Sequence, residues 1–355
     1  MSFGRPRLLL VSLVVCLTWV GSTSSSDAQV PSVVSPFQSG GFQWHVGPPL
    51  VSVNLDRLPD SPQYPWVAIK DPSVVRHDGR WHLFCTLRNT KQGDGRIRIG
   101  YACFASWEDA SESKWELLEL TPGYHGAPQI FYFRPHRLWY LIYQAVDQTR
   151  NLSYGPCYST NADITDASAW TLPRPLYVVP EGTKAGLDYW VICDGSKAHL
   201  FFTTLNGKMW RSETALQDFP DAGWSVPGVA LTADIFEASH TYKLKGQALY
   251  FTIVEAQADR RRYFKGFVAA RLDGNWRPIA ATADRPLVSP INVVNQEQSW
   301  ATSYSHGEFL RSGSDERLEI DPSRLQLVFQ GANDEAYQQE EYSQIPWQLG
   351  LLEQR

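Results

Sequence analysis

Apolar and polar positions alternate, turn back and alternate again five times along the chain. The copies open at Asp71, Ala127, Asp188, Glu237 and His306, so that their starts lie 56, 61, 49 and 69 residues apart. In the first copy, Asp71 to Phe84, a strand with period-two alternation reaches Asp78-Gly79 and returns as an aromatic-bearing second strand. Such alternation marks a half-buried strand, and Asp-Gly here or at Asp194-Gly195 is hairpin-turn chemistry. Trailing segments at 97–104, 152–158 and 263–269 supply further strands. A hairpin plus one or two strands at this period predicts one propeller blade per copy, hence an all-β, five-bladed β-propeller.

The N-terminal region follows a different pattern. Arg5 and Arg7 precede an apolar run from Leu8 to Val20 and a small, polar stretch ending near Gln29, which reads as a secretory signal peptide over residues 1–28. That run is short for a membrane span, and no later stretch of about 18 apolar residues exists. The expected mature protein is soluble, off the membrane and secreted, either extracellular or periplasmic. Residues 29–62, rich in Ser, Pro, Val and Gly, read as an N-terminal strap, and residues 63–355 as one domain without an internal linker. Cys85, Cys103, Cys157 and Cys193 lie in that domain. An oxidising compartment allows them one or two disulfides, and the sequence does not choose among the pairings.

Composition sharpens the picture in two places. Trp, Tyr and Phe number 14, 16 and 16 against only two Met, which suits strands and stacking surfaces. The net charge is −5 and the basic clusters are short, which argues against nucleic acid as the main partner. No Gly-rich phosphate loop, Cys/His zinc spacing or Gly-x-Ser-x-Gly elbow is present, so nucleotide, zinc and serine-hydrolase chemistries fall away.

Inner strands of a propeller begin around one axis, so the five opening residues converge. Three of them, Asp71, Asp188 and Glu237, are carboxylates. Acids gathered in an aromatic cleft suit glycosidic cleavage: one protonates the leaving oxygen, another activates water, and a third raises the pKa of the acid by like-charge repulsion. Spacing alone leaves a second reading open, in which they are strand-end turn residues or ligands of a structural cation.

The residues also resemble a known family. Ile69-Lys70-Asp71, Gly186-Leu187-Asp188, Phe236-Glu237-Ala238, Ile253 to Ala256, Arg262 to Phe264, Ser305 to Ser312 and Ile345-Pro346-Trp347 are similar in order and spacing to the motifs of glycoside hydrolase family 62. These are secreted α-L-arabinofuranosidases that strip arabinose from arabinoxylan. The resemblance implies an inverting enzyme with Asp71 as general base, Asp188 as the carboxylate that tunes and orients the acid, and Glu237 as general acid. It further implies substrate contacts from Lys70, His125, Gln144, Arg262 and Tyr342. His306 would face a calcium ion in the propeller channel through water. The expected partner is an arabinose-substituted polysaccharide or oligosaccharide, and the expected state is a monomer.

Departures from the family pattern fall at polymer-contact positions. Ala145 stands where the family usually has a Trp that stacks on the xylan backbone, and Ser343 where it commonly has Asn; Asp321 to Ser323 lacks the family's Cys. Weak action on long arabinoxylan is therefore expected. The alternatives are a family 43-type propeller hydrolase acting on arabinan or xylo-oligosaccharide, and a propeller that only binds carbohydrate.

Overall fold

Half-buried alternating segments pair to build five sheets, three of them in simple sequential strand order. The computed structural model describes residues 1–2, 36–54, 56–59, 63–93, 95–179, 185–294, 300–339 and 341–355. Apart from its first two residues, the expected signal peptide lies outside them.

Blade 1 runs from inner strand Trp66–His77 through Arg80–Asn89 and Ile97–Phe104 to Glu116–Leu117. Its first hairpin turns at Asp78 (φ 46°) and Gly79 (φ 78°), the two left-handed residues of the turn type whose twist matches the flanking strands. Blades 2, 3 and 4 repeat the order from inner strands His125–Phe133, Leu187–Cys193 and Glu237–Leu244.

The fifth blade differs from the sequence expectation. Its inner strand, Ser303–Phe309, pairs with Gln326–Ala332 and not with a segment ending at Ile320. Glu319–Ile320 instead pairs in parallel with the inner strand of blade 4. The sheet continues through Gln348–Gln354 to Trp44–Val46, so the N-terminal segment closes the ring in the blade that the C-terminus completes. Trp44 is fully buried and its indole N–H donates to the Leu287 carbonyl at 2.6 Å. Phe37 and Phe42 join the same core cluster. The propeller domain thus begins well before residue 63: part of the expected strap is a blade strand, because its apolar residues have a core to enter.

One local device recurs in every inner strand. The register slips by a bulge, and one residue beside each slip takes a left-handed conformation: Asp71 (φ 50°), Ala127 (φ 51°), Asp188 (φ 58°), Ala238 (φ 50°) and His306 (φ 31°). Such a conformation costs a residue with a Cβ roughly 1 kcal/mol or more. The cost is offset at each seam, where the amide of the bulged residue donates to a side chain of the preceding blade. Asp71 donates to Gln330 (2.8 Å), Ala127 to Thr86 (2.8 Å), Asp188 to Gln144 (3.1 Å), Ala238 to Asp188 (3.1 Å) and His306 to Glu255 (2.9 Å). Bulges re-aim side chains, and here they hold five equivalent positions around one axis.

Among the described residues the four cysteines are all free thiols, with Cys85, Cys157 and Cys193 buried and Cys103 half-buried, and no disulfide joins the blades.

Candidate active site

The left-handed positions carry Asp71 from blade 1, Asp188 from blade 3 and His306 from blade 5. Blade 2 offers only the methyl of Ala127, which leaves its share of the cleft open. Glu237 is displaced from the symmetric position: the bulged residue of blade 4 is Ala238, and Glu237 occupies the preceding slot, paired across the hairpin with Glu255. Lys70 holds that same preceding slot in blade 1.

The His306 ring lies between two carboxylates, with Nδ1 3.5 Å from Asp71 and Nε2 3.4 Å from Asp188. Lys70 approaches Asp71 at 3.7 Å and donates to the Tyr342 hydroxyl at 3.0 Å. Burial alone would raise the pKa of Asp71, but Lys70 and His306 outweigh it and hold this carboxyl below its ordinary range. Asp188 goes the other way. Burial, reinforced by Glu237 and Asp71 and opposed by His306, pushes it up to about 7. Two carboxyls of one site are thereby driven apart, one held ionised and one poised near neutrality.

Arg262 lies beneath Glu237, not at the sugar face where the resemblance would put it. Its Nη1 donates to Glu237 (2.5 Å), Glu255 (2.7 Å) and Ser305 (3.2 Å), and its Nε donates to the Tyr337 hydroxyl (3.0 Å). The guanidinium also packs over Phe236 at 4.6 Å and Tyr342 at 5.3 Å, which leaves the residue only 3% exposed. It acts on Glu237 as a clamp. Gln144 is similarly committed: its Oε1 accepts from the Asp188 amide and its Nε2 donates to the Tyr124 hydroxyl.

His125 does not reach this cluster. It is fully buried, its Nδ1 lies 3.3 Å from the Gly123 carbonyl, and burial followed by Arg98 lowers its pKa to about 3. It is a packed neutral histidine beside its own strand entrance. Ala145 is buried as well, in a cluster with Phe84, Tyr143 and Cys157, and no stacking platform stands at that position.

Sequence reasoning missed Glu255 and Tyr337. Glu255 is fully buried and accepts from Arg262, Ser305 (2.6 Å) and the His306 amide. A signal for it existed, since Thr86, Gln144 and Gln330 hold the same middle-strand slot in their blades. Tyr337 lies on the short helix Asp334–Gln339, outside the repeat, and nothing periodic marks it.

Fold and site together define a class: a five-bladed propeller with a buried acid/base carboxylate centre at its axis. A model of glycosyl hydrolase family 62 matches residues 56–353, and the chain belongs to that family. It is 35% identical over 299 residues to alpha-L-arabinofuranosidase C of Cellvibrio japonicus (strain Ueda107), an alignment that takes in 82% of this chain and 45% of that protein. The chain therefore spans about half the length of this curated relative. The catalytic domain of a Coprinopsis cinerea GH62 alpha-L-arabinofuranosidase superposes with a TM-score of 0.79 at 36% identity, covering 89% of this chain and 98% of that one. A GH62 hydrolase solved with xylotriose gives 0.79 at 34% identity over 90% and 99%.

Proposed function

We propose that this protein is a secreted, monomeric, inverting α-L-arabinofuranosidase that removes terminal arabinofuranosyl side chains from arabinoxylan or a related hemicellulose. The observation that carries the reading is the pair of opposed carboxyl environments at the axis, Asp71 ionised and Asp188 pushed toward neutrality, beside Glu237. Ionised Asp71 takes a proton from water as the water oxygen bonds to the anomeric carbon. Glu237 delivers its proton to the glycosidic oxygen as that carbon–oxygen bond breaks, and the sugar leaves with inverted configuration. Asp188 acts through the backbone: its carboxylate accepts from the amide of Ala238, the residue next to Glu237. Arg262 fixes the Glu237 carboxyl from below. The family relative solved with xylotriose supports a xylan-type substrate.

Calcium is part of the proposal. His306 Nδ1 is buried without a hydrogen-bond partner and lies 3.5 Å from the Asp71 carboxylate. Glu237 and Glu255 offer ligand atoms within 4.8 Å of His306, but Arg262 already engages both, so His306 would face the ion through water. A hard, largely hydrated cation suits that arrangement. Bound in the channel, calcium would supply fixed positive charge beside His306. Elemental analysis of protein purified without chelator should find about one calcium per chain, and chelation should lower the melting temperature.

The test of the function is incubation with arabinoxylan, arabinan and an aryl α-L-arabinofuranoside, with released sugars and their first-formed anomer read by NMR. Arabinose appearing first as the β-anomer is the expected result. Release of no arabinose from any of the three would overturn the proposal.

A further inference from the structure

Among the described residues only two aromatic side chains are exposed, Tyr154 at 38% and Tyr342 at 44%. In a chain with 46 aromatic residues that pairing is informative, because Tyr342 meets Lys70 beside Asp71 and Tyr154 packs on Tyr124, which is tied through Gln144 to Asp188. Tyr342 lies between the blade 5 strands Gln326–Ala332 and Gln348–Gln354 and meets Lys70. Tyr154 comes from blade 2, on the strand Leu152–Asn161. Its ring centroid lies 5.8 Å from that of Tyr124 with the planes at 47°, and Tyr124 is tied through Gln144 to the Asp188 amide.

A large ring left in water forgoes roughly 2 kcal/mol of burial, so its retention at a cleft mouth points to a ligand that covers it. The C–H faces of a sugar ring are such a cover. Blade 2 puts only the methyl of Ala127 at the axis, so its share of the cleft is open, and an exposed aromatic on that blade is placed to meet the sugar that bears the leaving oxygen. Ala145, on the neighbouring strand Leu138–Asp147, is buried and cannot serve.

We propose that Tyr154, braced by Tyr124, is the stacking platform for the leaving-group sugar and sets how the enzyme divides its activity between polymer and small arabinosides. Tyr124 is the positioning residue: it holds the Tyr154 ring and itself stays half-buried. The inference rests on the proposed arabinofuranosidase reading.

Two variants and two readouts test it. Kinetics on arabinoxylan and on an aryl arabinofuranoside give the ratio of the two kcat/KM values for wild type, Tyr154→Phe and Tyr154→Ala. One stacking contact predicts that Tyr154→Ala lowers the ratio roughly three- to tenfold through KM on the polymer, while Tyr154→Phe keeps it. A loss of equal size on both substrates would mean a merely structural role and overturn the proposal. Affinity electrophoresis in arabinoxylan gels reads binding without turnover, with retardation expected to weaken in Tyr154→Ala. If wild type releases no arabinose but its retardation depends on Tyr154, the function fails and the platform stands. If retardation and the kinetic ratio are both indifferent to Tyr154, the platform fails.

Discussion

The carboxylate of Asp188 accepts a hydrogen bond from the amide of Ala238, 3.1 Å away. At the four other seams the bulged amide is met by a middle-strand side chain, Gln330, Thr86, Gln144 or Glu255. At this seam the middle-strand slot holds Thr203, whose buried hydroxyl has no partner, and Asp188 takes over. One carboxylate therefore belongs to the site and also fixes the backbone from which Glu237 projects.

Asp188→Asn and Asp188→Ala should separate those two duties. Asn keeps an oxygen for the Ala238 amide but loses the charge, whereas Ala loses both. Both variants should drop kcat by about 10²-fold or more, the scale of acid/base contributions. Only the Ala variant should also lose stability, by about 1–3 kcal/mol for an unsatisfied buried donor. Equal stability in urea titrations of the two would show that the hydrogen bond carries no weight.

The repeat was legible because each blade needs the same alternating inner strand and the same opening slot, and Asp71, Asp188 and His306 stand in that slot. Glu237 was found one residue early: a carboxylate looked like an opener, while the left-handed position belongs to Ala238. What the sequence could not show was side-chain commitment. Arg262 and Gln144 read as sugar contacts until pairing within blade 4 tied the first to Glu237 and pairing across the seam between blades 2 and 3 tied the second to the Asp188 amide. The N-terminal strand and the discontinuous fifth hairpin were hidden for a similar reason, since their pairings join residues far apart in the chain, such as Trp44 with Gln354. Tyr337 has no repeat counterpart, and only its bond to Arg262 gives it meaning.

Tyr337→Phe removes the hydroxyl that accepts from Arg262 and from Gln257, each at 3.0 Å. Loosening the clamp on Glu237 should reduce kcat by about three- to tenfold, from the loss of one hydrogen bond to a charged group. The deficit should grow as the leaving group of an aryl arabinofuranoside series becomes poorer. A uniform deficit across the series, matched by a fall in melting temperature, would assign Tyr337 to helix docking only.

His125 makes acid a destabiliser. Its pKa is depressed to about 3 in the folded protein, first by burial and then by Arg98. The unfolded chain takes up a proton below about 6.5, so stability is present above that pH and falls as pH drops toward 3. The slope approaches 1.4 kcal/mol per pH unit, roughly the linkage value for one proton. His125→Gln should flatten urea-derived stability between pH 6 and 4 by up to about this slope. Parallel curves for wild type and variant would mean that His125 is not held neutral.

Ala145→Trp tests the buried wall of blade 2. Its methyl sits with Phe84, Tyr143 and Cys157 and is 0% exposed. An indole there overfills a packed cluster and should cost about 1–3 kcal/mol or more. Polymer preference should not improve. A stable variant with a raised arabinoxylan-to-aryl ratio of kcat/KM would show that this position can open to the cleft after all.

Glu237 and Asp71 can be told apart by the substrate. Glu237→Ala removes the proton donor, and a good leaving group departs without one. Its activity should therefore survive best on an aryl arabinofuranoside with an acidic phenol and collapse on arabinoxylan, with the gap between them about 10²-fold or more. Asp71→Ala removes the activator of water, which every substrate needs, so its loss should be severe whatever departs. Azide, a small nucleophile that needs no deprotonation, should restore turnover to Asp71→Ala and leave Glu237→Ala on the polymer unrescued. Both variants should keep the wild-type melting transition to within a few degrees, since neither side chain accepts a seam amide. Equal loss on good and poor leaving groups for Glu237→Ala, in a folded protein, would place the acid at another residue, and Asp188, already pushed to about 7, would be the next to test.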